Sequence, residues 1–161
     1  MVLILMGVSG SGKTAIGQLL AQAVHWPFYD GDDFHPRANV AKMARGIALT
    51  DADRAPWLQS IHLHIAALVT RSESAVVACS ALKQTYRTQL VGELEDVYFI
   101  YLQGGADLIQ QRLMARRGHF MPPELLASQF DTLEEPEEVL TIDIAQLPDR
   151  IVSYIRRAFV L

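Results

Sequence analysis

Apolar residues recur along the chain in two alternating rhythms. Short apolar runs at 2–6 (Val2-Leu3-Ile4-Leu5-Met6), 27–29, 75–79, 97–102 and 139–144 read as strands. Between them lie helical patterns at 13–24, 36–45, 51–70, 83–92, 105–116, 122–131 and 147–159. The first is marked by Ile16, Leu19, Leu20, Ala23 and Val24, the stripe of an amphipathic helix. In the segment 51–70, Leu58, Ile61, Ile65, Leu68 and Val69 share one face. Its start, Thr50-Asp51-Ala52-Asp53, has the pattern of a capping box with aspartate in the third position. This alternation predicts an α/β fold, a parallel five-stranded sheet with helices on both faces and right-handed crossovers. In such folds ligands gather at the carboxyl ends of the strands, so the chemistry is sought just after each strand. No repeat, low-complexity stretch or linker interrupts the pattern, and 161 residues suit one domain, 1–161.

After the first strand comes Gly7-Val8-Ser9-Gly10-Ser11-Gly12-Lys13-Thr14, which fits G-x-x-x-x-G-K-[ST] between a strand and a helix, the context that gives this motif a mechanism. Glycines let the backbone turn tightly, so that amide N–H groups converge on an anion. The helix N-terminus adds unsatisfied donors and a positive dipole end. Lys13 brings a cation to the terminal phosphates, and Thr14 offers a hydroxyl to Mg²⁺, a hard cation that prefers oxygen. The loop therefore predicts a nucleoside triphosphate, with Gly7 through Thr14 as its binding residues.

After the second strand comes Asp30-Gly31-Asp32-Asp33-Phe34-His35-Pro36. Beside a triphosphate, such carboxylates either hold Mg²⁺, directly or through its waters, or take a proton from a substrate hydroxyl. If the segment is extended, Asp30 and Asp32 point to the same side, while Asp33 reads as a helix N-cap. After the third strand, Lys83 and Arg87 are four residues apart and hence share a helical face. With Arg54, a cation in a helix first turn where the dipole disfavours it, they could grip an anionic group of a substrate. The helix after the fourth strand ends in Arg112-Leu113-Met114-Ala115-Arg116-Arg117-Gly118-His119. Arg112 and Arg116 share a face, and Gly118 with Pro122-Pro123 punctuates a loop able to close over phosphates. Arg117 reads as complementing its own helix dipole.

Composition narrows the functional classes. Fourteen Lys+Arg against eighteen Asp+Glu give a net charge of −4, which argues against a general nucleic-acid binder. No apolar run reaches a membrane span. Met1 leads directly into the first strand, so no signal peptide is expected. Cys79, the lone cysteine, lies in an apolar run and reads as a buried structural thiol; a reducing cytoplasm fits. His62 and His64 fall on different helix faces, against a metal site. Asp143 imitates a Mg²⁺-serving aspartate after a hydrophobic strand but reads as structural. No Asn-Lys-x-Asp guanine-reading motif occurs.

Together these segments resemble the gluconokinase family of small ATP-dependent gluconate kinases. The resemblance rests on the phosphate loop, on Asp30–Pro36, on Asp51-Ala52-Asp53-Arg54-Ala55-Pro56-Trp57-Leu58 and on Cys79-Ser80-Ala81-Leu82-Lys83-Gln84-Thr85-Tyr86-Arg87. Arg117-Gly118-His119-Phe120-Met121 and Ser128-Gln129-Phe130-Asp131-Thr132-Leu133-Glu134-Glu135-Pro136 complete it. It implies a fold like that of the nucleoside monophosphate and shikimate kinases, with a mobile lid around 112–130. It also implies transfer of the ATP γ-phosphoryl group to the 6-hydroxyl of D-gluconate, with Mg²⁺ on Thr14 and Asp30. Asp32 would meet the reacting hydroxyl, and His35, Arg54, Lys83, Arg87 and His119 would bind substrate. Arg112 would lie near adenine and Arg116 near the phosphates, so Lys13, Asp32 and Arg116 form the expected catalytic set. Similar enzymes are often dimers, which implies a homodimer. The phosphate loop by itself equally suits a kinase of another small anionic acceptor, such as shikimate or another sugar acid. A nucleotide-dependent regulatory switch is a more distant alternative.

Overall fold

Strand β1 (Val2–Met6) is buried along its whole length because it is the middle strand of five. Its side chains alternate between two cores, as the two-residue period of a strand requires. Leu3 and Leu5 join Ile16 and Leu20 of α1 (Lys13–Val24) on one face of the sheet. Val2, Ile4 and Met6 join Leu58, Ile61 and Ile65 of α3 (Asp51–Thr70) on the other. An uninterrupted apolar run is what such a two-sided strand needs.

The structure is a computed structural model that describes residues 1–115 and 123–161. Besides β1, the sheet contains β2 (Phe28–Asp30), β3 (Ala75–Ala78), β4 (Val97–Gln103) and β5 (Leu140–Asp143). The strand order is β2-β3-β1-β4-β5, and every neighbouring pair is parallel. The remaining helices are α2 (Arg37–Ala44), α4 (Gln84–Val91), α5 (Ala106–Ala115), α6 (Pro123–Thr132) and α7 (Pro148–Ala158). Helices α1, α5 and α7 contribute to one core, α3 and α4 to the other. The expected α/β architecture is thus present, with element boundaries within one or two residues of the sequence reading.

The order reverses at β1, whose neighbours are β3 on one side and β4 on the other. The connection from its carboxyl end runs towards the β2 edge, whereas those from β3 and β4 run towards the β5 edge, and this divergence opens a crevice at the strand ends. The register sharpens this: Leu5 pairs with Ala78, Asp30 with Ala78 and Met6 with Tyr101, so three strand ends lie level. The loops after β1, β2 and β3 consequently meet at one edge.

Two local predictions need revision. The acidic segment is not extended: Gly31–Phe34 forms a 3₁₀ turn, and its N-cap is Asp30 rather than Asp33 acting ahead of α2. Helix α4 begins only at Gln84, leaving Lys83 as its extended N-cap with ψ 150. Lys83 and Arg87 therefore do not share a helical face. The capping box at α3 forms as read, with Asp53 N–H donating to Thr50 Oγ1 at 3.1 Å and Thr50 N–H to Asp53 Oδ2 at 2.9 Å.

Candidate active site

The loop 7–14 is folded around its own backbone. Gly10 has φ 81, a left-handed conformation, and a Cβ there would sit 2.8 Å from Leu113 Cγ and 2.9 Å from Ile109 Cγ2 of α5. Only glycine lets this turn rest against that helix. Gly12, with φ 96, is the N-cap of α1 and supplies no side-chain cap to its first turn. Lys13 Nζ donates to the carbonyls of Gly7 and Val8, each at 3.0 Å. The Ser11 hydroxyl is buried and has no hydrogen-bond partner among the described residues. Gly7 N–H donates to Ser80 O at 3.2 Å, which ties this loop to the one after β3.

The acidic turn packs directly against that loop. Thr14 Oγ1 donates to Asp30 Oδ2 at 2.8 Å, while Asp30 Oδ1 accepts the Asp32 N–H at 3.1 Å. One carboxylate thereby links the start of α1 to the 3₁₀ turn. The turn is pressed close to β3: a Cβ on Gly31 would lie 2.5 Å from the Ala78 carbonyl. Its Gly31 carbonyl accepts from Trp57 Nε1 of α3 at 2.6 Å. Asp32 is held so that its side chain is 86% exposed. Desolvation, followed by the charge of Asp30, nevertheless raises its pKa above the usual aspartate value, against the pull of Lys13 and His35.

His35 stands behind Asp32. Its side chain is only 4% exposed, its Nε2 is 3.9 Å from Asp32 Oδ1, and its ring stacks on Trp57 at 4.3 Å between centroids. Burial holds its pKa below the usual histidine value.

Cations of α3 and of the loop after β3 gather around Tyr86. Arg54 Nη1 donates to Leu49 O at 2.5 Å and to Tyr86 Oη at 3.4 Å, with its guanidinium 5.6 Å from the Tyr86 ring centroid. Lys83 Nζ is bonded to both oxygens of Asp51 at 2.9 Å and lies 5.4 Å from the same ring. Tyr86 Oη also donates to Asp51. The Tyr86 and Lys83 hydrogen bonds hold the Asp51 carboxyl below the usual carboxylate range. Arg87 does not join this wall. It is buried, donating to the Ala81 and Leu82 carbonyls at 3.0 and 3.1 Å and to Gln84 Oε1. It fastens a loop in which Ala81 adopts φ 44, a strained conformation for a residue with a Cβ.

Arg112 lies in the last turn of α5 and donates to Ile144 O, just beyond β5, at 2.6 Å. Arg116 and His119, and with them part of the expected lid, lie outside the described residues. Cys79 is buried, and desolvation pushes its thiol up to about 12. Among the described residues no group of three His, Cys, Asp or Glu could hold a metal ion, and no helix is long and apolar enough to cross a membrane.

Several residues that lie within the motifs carrying the family resemblance, but to which the sequence assigns no role, shape this site. Gln129 of α6 accepts the Ser9 N–H of the phosphate loop on its Oε1 at 2.6 Å. Glu134 Oε2 accepts the first amide of α4, Gln84 N–H, at 2.6 Å. Asp51 and Tyr86 form the frame that carries Lys83 and Arg54. Such pairings join segments tens of residues apart and follow no periodicity.

A family model described as shikimate kinase matches residues 9–142. The chain is 44% identical to the thermoresistant gluconokinase of Escherichia coli over 156 residues, spanning 94% of this chain and 89% of that protein. It is 46% identical to a probable gluconokinase of Mus musculus over 152 residues, spanning 84% and 83% respectively. The crystal structure of a gluconokinase from Sinorhizobium meliloti superposes with a TM-score of 0.86 at 42% identity, covering 94% of this chain and 87% of that one.

Proposed function

Because the chain belongs to the gluconokinase family, we propose that ATP and gluconate meet between the phosphate loop, the acidic turn and the Arg54–Lys83 wall. The activity is ATP-dependent phosphorylation of gluconate, and the enzyme is a phosphotransferase. The convergence of Asp32 with the Thr14–Asp30 pair on one side and Arg54 on the other carries the reading.

The residues suit a magnesium nucleotide. An uncapped helix N-terminus and a left-handed glycine turn offer amides to phosphate. Thr14 and Asp30 offer paired oxygens, the sparse protein contribution that Mg²⁺ accepts when phosphates and water complete its shell. When bound, the nucleotide supplies the transferable γ-phosphoryl group and the metal neutralises its charge. Lys13 carries a cation to the same phosphates. Arg112, beside Ile144, borders the nucleotide base.

Across from the phosphates, Arg54 meets the sugar-acid carboxylate, with Lys83 beside it on the Asp51–Tyr86 frame. Arg87 contributes from behind by fixing the Ala81–Leu82 turn. Asp32 accepts the hydrogen bond, and then the proton, of the attacking 6-hydroxyl. Its raised pKa suits it to that proton better than an ordinary surface aspartate. Arg116 and His119 belong to this reading as lid residues that reach the transferring group and the substrate.

The test is coupled ADP release over gluconate, other sugar acids, shikimate and no acceptor, for wild type and Asp32→Asn. Gluconate should give the fastest release, and the variant should lose about 10²–10⁴-fold in kcat. Preference for shikimate, or release indifferent to acceptor, would overturn the assignment.

A further inference from the structure

Asn39 is a buried polar residue of α2, 3% exposed, on a helix whose neighbouring positions are mostly solvent-facing. Its amide nitrogen donates to the Asp53 carbonyl at 2.8 Å. A backbone carbonyl can only accept, so this bond fixes which end of the amide is NH₂. The same nitrogen lies 3.3 Å from His35 Nδ1. An NH₂ group has two protons and no lone pair to offer, so Nδ1 must be the acceptor. The ring proton of a neutral imidazole then resides on Nε2, the atom facing Asp32 Oδ1 at 3.9 Å. Stacking on Trp57, with an interplanar angle of 13°, fixes the ring plane.

We propose that Asn39 is a positioning residue for the acceptor site: through His35 it keeps a neutral N–H donor directed at Asp32. This rests on the reading of Asp32 as the carboxylate that meets the substrate hydroxyl. At 3.9 Å the donor is just beyond hydrogen-bond range, and a small rotation of the exposed carboxylate closes the gap. One Asp32 oxygen is then occupied by His35 and the other is turned to the acceptor. A neutral donor orients the carboxylate without the full charge that would weaken it as a base. The groups facing the ring are consistent with neutrality: burial and the Arg54 charge disfavour the imidazolium, against Asp32 alone.

Asn39 has a competing structural role, since α2 is also tied to α3 by Lys42 Nζ on Asp53 at 2.7 and 2.8 Å. The experiment separates the two. Nitrogen-15 NMR of the histidine rings, without substrate, should show His35 with its proton on Nε2 and an acceptor-type Nδ1. Asn39→Leu should erase that single-tautomer signature. It should also lower kcat about 10–100-fold, the scale seen when the partner orienting a functional histidine is lost, with KM for ATP changed less than about twofold. Lys42→Met, which loosens the same helix pair, should keep the tautomer and hold kcat within about threefold of wild type. A wild-type His35 protonated on Nδ1, or on both nitrogens near neutral pH, overturns the proposal even if Asn39→Leu does not fold. So does an Asn39→Leu enzyme with normal kcat, or a Lys42→Met enzyme that loses as much. A wild-type enzyme with the expected tautomer but no turnover of gluconate would instead refute the substrate assignment and leave the relay standing.

Discussion

Among the glycines of the phosphate loop and the acidic turn, Gly31 leaves the least room for a side chain. Gly31 begins the acidic turn, and a Cβ there would lie 2.5 Å from the Ala78 carbonyl oxygen, whereas ordinary contact begins near 3.4 Å. The obstacle is backbone in a strand buried by its neighbours, so it cannot swing aside. In Gly31→Ala the turn must therefore back away by about 0.9 Å, taking Asp30 and Asp32 with it and stretching the 2.6 Å Trp57–Gly31 hydrogen bond. Overpacking of this kind costs about 1–3 kcal/mol, which is tolerable for a chain with two developed cores. The catalytic cost is larger, because a misplacement of about 1 Å can lower turnover by about 10²-fold. Asp30, bonded to Thr14, moves with the turn, so KM for ATP should rise as well, while the fall in kcat reports the displaced Asp32. Urea unfolding would establish that the variant folds, and coupled ADP release with gluconate would give both constants. A folded Gly31→Ala enzyme with kcat within about threefold of wild type would show that the carboxylates need no such fixed position, and the role given to Asp32 would fall with it.

Other expectations follow from the same contacts. Lys13→Ala should lose about 10²–10³-fold in kcat, by analogy with removal of one preorganised donor, and undiminished turnover in the folded variant would contradict its role. Hydrogen bonds from Lys42 and Thr50 hold the Asp53 carboxyl down to about 2. A depressed carboxylate stabilises the fold above its unfolded pKa and loses that contribution as pH falls through the folded one. Lys42→Met should therefore unfold at lower urea than wild type near neutral pH, with the gap narrowing between about pH 4 and pH 2; a gap that does not change with pH would refute the linkage. Cys79, buried with its thiol pushed up to about 12, should react with a thiol-specific chromogenic disulfide only on unfolding. Rapid labelling of the native enzyme would sink that expectation.

What the sequence makes legible is local or periodic. The alternating runs mark every strand and α-helix among the described residues because two-sided burial and helical stripes leave continuous traces. The capping box at Thr50 is readable because its partners are three residues apart. The phosphate loop is readable because its backbone needs glycine at set positions. Reading fails where a side chain answers to a distant segment. Arg87 sits four residues from Lys83, yet the strained Ala81 turn needs a guanidinium beneath its carbonyls, so Arg87 turns inward. Lys83 is claimed by Asp51, which is thirty-two residues away. Asn39 looks like an ordinary helix-surface amide until α3 brings the Asp53 carbonyl over it.

The distinction has a physical basis in the sheet. The strand order β2-β3-β1-β4-β5 sets the ends of β1, β2 and β3 side by side, so three loops written far apart become neighbours. Each loop brings one kind of chemistry that can be named in advance: amides and a lysine, carboxylates, or cations. Their mutual orientation is decided by hydrogen bonds between loops, Thr14 on Asp30 and Gly7 on Ser80, and by Trp57 of α3 on Gly31. Each of those ties uses a backbone atom or a short polar side chain that any loop contains. The kind of reaction can thus be inferred from the loops separately, whereas which carboxylate meets the hydroxyl, and what aims it, depends on the ties.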